Sequence, residues 1–353
     1  YKPNPPPPAY FARHYHNDPR RDPSLVRVLI HCPNVSEEER RGGEIVSSVR
    51  IFRRTLSCAG GSDDDARRIE AGGIGEVCTS PDHQRRGLSK ILLKNALDIM
   101  SSSCREGEEG GMSCSLLHAA PNFRPVYAKV GGYRSVRSEW SVVPVVLSRL
   151  LIGREGDGWR VRRAKFPGDA SPLRRLHSEY SERRLITVER SLRYWTDYVS
   201  AELGESLWAL IRPPVDGDGA EDRIVAWISV RVRGDRYQLR EFGVDRFGDD
   251  PVPTSWAMKR LLGVALKHAA GGNTCASDEL SLVLPTFVLS EMRQETTSAS
   301  EHDAAFLDLD EVKEENDDGW MYVDFDKSRP SVLELTTREA NPAPHLIWPT
   351  DSF

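Results

Sequence analysis

The stretch from Glu76 to Lys90 constrains this chain more than any other. Ile74-Gly-Glu-Val-Cys-Thr reads as a strand, Pro81 breaks its ladder, and Gln84-Arg-Arg-Gly-Leu-Ser leads directly into a helix. In that helix Leu88, Ile91, Leu92, Ala96 and Ile99 recur at helical spacing, which predicts one face packed on a sheet. The first four amides of a helix have no intrahelical acceptor, and the helix dipole adds roughly half a positive charge there. Gly87 lets the main chain come close to a ligand. The amides of Arg85, Arg86, Gly87, Leu88 and Ser89 are therefore predicted to ring a pyrophosphate, with Arg85, Arg86 and Lys90 adding charge. A glycine-containing strand-to-helix turn is also a common plain connection, and this one is neither GxxxxGK[ST] nor GxGxxG.

The rest of the chain bounds what can be built around that turn. At 353 residues two domains are expected, and 39% hydrophobic content is enough for two cores. No run approaches 18 uncharged apolar residues, so no membrane-spanning helix is expected; the best, Trp140 to Leu147, contains Pro144. The six cysteines show no CxxC or His/Cys ligand spacing, which points away from a zinc module or disulfide scaffold and toward reduced thiols in a cytoplasmic protein. The net charge of −5 is unevenly spread: +5 up to Glu155 and −10 beyond it. The acidic excess sits in Glu291 to Asp318, which reads as a solvated polar insertion. The mildly basic first half suits an anionic cofactor; without a Lys/Arg stripe interleaved with aromatics, no nucleic-acid partner is expected.

Strand and helix patterns alternate in both halves. The chain opens at Tyr1-Lys-Pro-Asn and Pro5 to Pro8, read as polyproline that carries no fold information; a first strand and helix are not visible before Leu25, unless Tyr10 to Tyr15 supplies part of them. Leu25 to Ile30 and Glu44 to Arg53 are predicted strands, Cys114 to His118 another, and Phe123 to Val130 a short helix ended by Gly131-Gly132. Beyond a boundary near Gly153 to Gly158, Trp159 to Ala164 reads as a strand. Pro172 to Arg183, capped by Ser171, and Val188 to Leu203 read as helices. Ser206 to Ile211 and Arg223 to Val232 form a predicted hairpin, followed by strand Tyr237 to Val244, helix Ser255 to Ala269 and strand Leu280 to Leu284. The class is α/β (α+β): a mixed twisted sheet flanked by helices in a domain over 1–155, and a second domain over 156–353.

Two motifs carry a resemblance. Val77-Cys-Thr-Ser-Pro-Asp-His-Gln-Arg-Arg-Gly-Leu-Ser resembles motif A of the GNAT superfamily of N-acetyltransferases, V-x-x-x-P-x-x-[QR]-x-x-G-x-[GA], with Ser89 at the last small position. Leu117-His-Ala-Ala-Pro-Asn-Phe-Arg-Pro-Val-Tyr-Ala-Lys-Val-Gly-Gly-Tyr resembles motif B. Ser178-Glu-Tyr and Arg190-Ser-Leu-Arg-Tyr-Trp resemble the second GNAT-like domain of Eis-type acetyltransferases and of the fungal lysine N6-acetyltransferases. The corresponding motif A of the second half, Val244 to Ser255, has two prolines and no [QR]-x-x-G. It could not wrap a diphosphate, so that domain reads as a degenerate repeat that shapes the acceptor site.

The resemblance implies acetyl-CoA as cosubstrate and direct transfer to a primary amine. Main-chain groups of Val77, Cys78 and Thr79 would pair with the pantetheine arm, and Tyr127 would protonate the departing thiolate. Three groups compete as base: the carboxylate of Phe353 at the end of an apolar tail, His345-Leu-Ile-Trp-Pro-Thr-Asp-Ser-Phe, which is expected to dock; Glu76 on the motif A strand; and His118 before motif B. Cys78 reads as a buried strand thiol rather than a nucleophile. The expected acceptor is a small amine such as lysine. A protein or peptide lysine acetyltransferase and a non-catalytic acetyl-CoA sensor are the alternatives, and an oligomer is possible.

Overall fold

Apolar alternation and helical stripes in this chain resolve into two sheets. A computed structural model describes residues 6–33, 43–58, 67–105, 111–146, 149–150, 158–181, 184, 186–213, 222–246, 248, 250–269, 279–296, 306–326 and 346–351. The strands are β1 (Val26–His31), β2 (Glu44–Cys58), β3 (Arg67–Thr79), β4 (Cys114–His118), β5 (Arg134–Ser135), β6 (Trp140–Val146) and β7 (Arg160–Arg163). They continue as β8 (Thr187–Val188), β9 (Leu207–Arg212), β10 (Arg223–Arg233), β11 (Arg236–Val244), β12 (Glu279–Pro285), β13 (Lys313–Glu314) and β14 (Trp320–Asp324). The helices are α1 (Pro8–Asn17), α2 (Leu88–Arg105), α3 (Arg124–Gly131), α4 (Ala170–Ser181), α5 (Ser200–Leu203, entered through the π-helical turn Tyr194–Val199), α6 (Thr254–Ala269) and α7 (Thr286–Thr296). None of these helices is long and apolar enough to cross a membrane.

The first unit holds residues 20–137 together with the stretch from Asp318 that carries β14. Its strand order is β1-β2-β3-β4-β14-β5, parallel only between β3 and β4. α2 covers one face with Leu92, Leu93, Ala96 and Met100, which pack with Val49, Ile51, Ile74, Leu117 and Met321. Full burial of each large aliphatic side chain contributes about 1.5–3 kcal/mol. Ile91 is exposed at 53%: the packed stripe of α2 is centred on Leu92, Leu93, Ala96 and Met100, and Ile91 falls on its outer edge. Gly72 on β3 has a packing reason, since a Cβ there would collide with the sulfur of Met100. β3 begins seven residues before the predicted strand, because the Arg-Arg and Gly-Gly pairs in its first half hide a strand that β2 specifies by pairing along its whole length.

The second unit holds the chain up to Pro19, Ser138–Asp317 and the tail segment 346–351. Its strand order is β13-β6-β12-β11-β10-β9-β7, with a short parallel pairing between β11 and β12. A cut between residues 155 and 156 therefore does not match the units. β6 pairs with β12 over its whole length, and β14 pairs with β4 and β5; both partnerships span more than a hundred residues of sequence and are invisible to a local reading. Tyr10 to Tyr15 lies in α1, which belongs to the second unit: Arg13 and His14 meet Glu202 at 3.2 and 3.0 Å.

Three further expectations are corrected. Ser171 lies inside α4, which starts at Ala170 with the Leu173 amide donating to the Asp169 carbonyl; the Asp169 carboxylate accepts from the Lys165 amide and two Arg162 nitrogens. The second predicted helix of this half begins after β8, not at Val188. The acidic segment from Glu291 is not wholly a solvated insertion. α7 runs through its start, Glu291 is buried, Phe306 and Leu307 join the core, and β13 pairs with β6. The count of charges misleads there because arginines from distant positions neutralise the acids. Cys58 to Asp65 and Arg105 to Gly111 read as loops from sequence; Cys58 ends β2 and Arg105 ends α2, while 59–65 and 106–110 lie outside the described residues.

Candidate functional site

The site grows from one strand. β3 and β4 run parallel only from Ala71–Gly73 against Cys114–Leu116. Past that point β3 continues to Thr79 bonded to β2, while β4 continues to His118 bonded to β14. Between them no ladder is formed beyond Gly73 and Leu116 among the described residues, so the two strands diverge into a cleft with main-chain groups along its banks.

A bulge in the β2–β3 pairing produces the divergence. Ser48 pairs with Cys78 and Arg50 with Gly75, so Glu76 and Val77 together oppose Val49. Glu76 has φ 52°, a left-handed conformation that costs a residue with a side chain roughly 1–2 kcal/mol. The surroundings impose it: Arg50 Nη1 lies 3.2 Å from Glu76 Oε1, and the Ser48 hydroxyl donates to the Glu76 carbonyl at 3.2 Å. The Ser47 hydroxyl fastens the next turn of strand, donating to the Cys78 carbonyl at 2.7 Å and lying 2.9 Å from Thr79 Oγ1. Extra residues in one strand bend it, and such bends recur beside active sites. The bulge also reverses the parity of the residues after it, and Cys78 is exposed rather than buried, with its sulfur 3.0 Å from Ser48 Oγ.

Pro81–His83 make one 3-10 turn, Gln84 Nε2 donates to the Thr79 carbonyl at 3.4 Å, and α2 begins. Arg85 and Gly87 have φ 62° and 78°, flanking Arg86. An alternation of this kind turns successive amides toward one side and makes an anion-binding concavity. The helical ladder starts with Lys90 and Ile91, both donating to the Gly87 carbonyl, so the amides before them stand outside it. A Cβ on Gly87 would meet nothing within 4 Å; glycine is required there by φ alone. Arg85, Arg86 and Lys90 are exposed, and Leu88 and Ser89 are half-buried.

The opposite bank comes from β4 and α3. Tyr127 is half-buried, its ring edge-on to Tyr133 at 6.2 Å. Tyr133 is locked away: its hydroxyl lies 2.6 Å from Ser115 Oγ, which donates to the Gly72 carbonyl, and burial pushes its phenol well above the ordinary value. Of the two tyrosines Tyr133 is the enclosed one and Tyr127 the half-buried one. His118 is exposed at the end of β4, with its ring 5.2 Å from that of Trp320 on β14. The structure thus joins Val77, Cys78, Thr79 and Arg85–Lys90 in one continuous strand–turn–helix, and sets Glu76 on one bank and His118 and Tyr127 on the other. Phe353 lies outside the described residues; the tail before it does dock, with Leu346, Ile347 and Trp348 buried and Asp351 held by Arg190 at 2.7 Å. Arg50, Ser47 and Ser48 escaped the sequence reading because an alternating strand does not announce which polar residue will brace a bulge.

Residues 27–133 match the family model described as the acetyltransferase (GNAT) domain. This chain carries a GNAT domain. Among solved structures, the GCN5-related N-acetyltransferase from Anabaena variabilis is 14% identical with a TM-score of 0.51, over 86% of this chain and 63% of that one. A protein from Enterococcus faecalis described as a probable N-acyltransferase is 11% identical with a TM-score of 0.51, over 85% of this chain and 72% of that one. At such identities the likeness speaks for the fold: GNAT architecture in the first unit and, in the second sheet with its own short parallel pairing, a second GNAT-like region. The chain spans less than two-thirds of the Anabaena protein's length. None of the curated proteins compared with the chain matches it.

Proposed function

We propose that the GNAT domain binds an acyl-CoA, acetyl-CoA in the first instance, and moves the acyl group directly to a primary amine. The observation that carries this is the junction of an opened β3–β4 cleft with an amide-lined helix start in one uninterrupted stretch. The residues fit the cosubstrate: the turn offers unpartnered helix amides and three cations to a diphosphate, and the free edge of β3 at Val77–Thr79 offers main-chain groups to an amide-bearing arm.

Amine acylation needs a group to take the ammonium proton, donors for the developing oxyanion, and an acid for the thiolate. Tyr127 supplies the acid. The amides of Val77 and Cys78 serve as oxyanion donors. Glu76 takes the proton, since its carboxylate is fixed by Arg50 at a strained bulge on the cleft, and strain of this kind persists where the surroundings over-determine it. His118 and the Phe353 carboxylate are the other groups to be separated from it, by comparing the pH–rate profiles of Glu76→Gln, His118→Asn and a chain lacking Phe353. A free amine such as lysine is the proposed acceptor. Calorimetric titration with acetyl-CoA, followed by thiol release with lysine and with lysine peptides, tests the reading. Release with an amine supports it, and the better amine names the acceptor class. Binding without release with any amine leaves a sensor, and absence of binding removes the proposal.

A further inference from the structure

We infer that α7 seats two of its own carboxylates where the second unit's strand–turn–helix would hold a diphosphate, and that this seat binds inorganic oxyanions once the carboxylates are neutralised. In both units a strand with a bulge runs through a turn into a long helix, then into a strand joined to the first by a short parallel pairing, then into another helix. In the first unit these are β3, α2, β4 and α3; in the second they are β11, α6, β12 and α7. At the start of α6 the Thr254 amide donates to Glu295 Oε1 at 3.0 Å and the Ser255 amide to Glu295 Oε2 at 2.9 Å. One carboxylate takes two helix-start amides, the bond pattern of a bound oxyanion.

Glu291 lies one helical turn earlier on the same face of α7 and is buried. It accepts from Arg184 at 2.6 Å and from the Tyr180 hydroxyl at 2.9 Å, and pairs with Arg246 at 2.9 Å; Arg246 also reaches Glu295 at 3.7 Å. Two acids therefore face two arginines, a phenol and two helix amides. Two donors at this place are left over: the hydroxyl of Thr254, a fully buried residue, and Arg184 Nε are both buried without a hydrogen-bond partner among the described residues. A seat built only to cap α6 would need neither arginine; one with spare buried donors has more capacity than two carboxylates use. The chemistry matched is that of a compact polyanion with more acceptor oxygens than two carboxylates carry.

Thermal unfolding with and without inorganic pyrophosphate, at matched ionic strength, tests this. Glu295→Gln should lower the midpoint by several degrees, and millimolar pyrophosphate should raise it more than it raises the wild-type midpoint, because a ligand held only by the folded state stabilises it. Adding Arg246→Met to Glu295→Gln should abolish that excess. Glu291→Gln combined with Glu295→Gln should enlarge the excess, and should that double variant fail to fold, the single variant decides. The analogy rests on reading the first unit's turn as a diphosphate seat, and the two readings fail separately: the wild-type shift reports the first turn, the excess in the variant reports this one. A Glu295→Gln protein as stable as wild type, or one that pyrophosphate stabilises no more than wild type, overturns the inference.

Discussion

In the first unit β3 passes into α2 through a turn whose amides lie outside the helical ladder and whose cations are exposed. In the second, β11 passes into α6 through a turn in which four described main-chain amides are taken by the chain's own acceptors. The Gly248 amide goes to Asp245 Oδ1, the Val252 amide to the Asp245 carbonyl, and the Thr254 and Ser255 amides to Glu295. The bulges differ in the same sense. That of β3 presents Glu76, half-buried and held by one arginine; beside that of β11, Arg190 lies fully buried between Glu241 and Asp351. The same order of elements thus supports an open polar edge in one place and, in the other, a closed edge whose helix-start amides are held by the chain's own carboxylate. The choice is made by which side chains fill the turn, since binding capacity resides in unsatisfied donors rather than in the fold.

The strongest way to break the contrast is Arg190→Met. It strands two carboxylates in a fully buried place, and losing one partner of such a network costs about 3–5 kcal/mol. Chemical denaturation should show that loss, while the folded fraction should keep its acyl-CoA affinity. A parallel fall in affinity would mean that the two regions are not energetically separate. Next in size is Tyr127→Phe, which should lower kcat about 100-fold, the lower end of the range for general acid catalysis, with acetyl-CoA affinity nearly unchanged. Equal losses in both would make Tyr127 a packing residue beside Tyr133. Gly87→Val should weaken CoA binding about tenfold by forcing a β-branched residue to φ 78° and moving the turn's amides, with little change in kcat at saturation. Unchanged CoA affinity would say that the diphosphate sits elsewhere.

How far these features can be read from sequence follows from their range. The strand, Pro81, Gly87 and the helix after them lie side by side in the chain, and each acts through local sterics and hydrogen bonding, so the open turn is legible. The prolines of Val244–Ser255 also make it legible that this stretch departs from the first turn's pattern. What fills its place is not: Glu295 and Glu291 look like surface acids until Arg184 and Arg246 are placed beside them. β14 is short and polar at its end, and only pairing to β4 and β5 makes it part of the first sheet. The bracing of Glu76 by Arg50 is a cross-strand contact, set by a bulge that period-two patterning cannot show.

The smallest effect sharpens the contrast through pH. His177 on α4 is fully buried between Trp195 and Trp227, with ring centroids 5.8 and 6.4 Å away, and its Nε2 has no hydrogen-bond partner among the described residues. Burial first, and the Arg190 charge second, hold its imidazole well below the ordinary value. In the unfolded chain the ring takes a proton near pH 6.5, whereas in the folded unit it stays neutral to much lower pH. Between those two values the unfolded state binds one more proton, so stability falls as pH falls, by about 1.4 kcal/mol per pH unit, and levels off only below the folded pKa. His177→Gln removes the titrating group, and subtracting its pH–stability curve from that of the wild type cancels every group the two share. A difference that is flat above pH 7 and slopes downward below about pH 6.5 places the acid sensitivity in the closed interior; a difference that stays flat throughout means that the ring takes its proton in the folded protein at the same pH as in the unfolded chain, and that the interior is wetter than its burial implies.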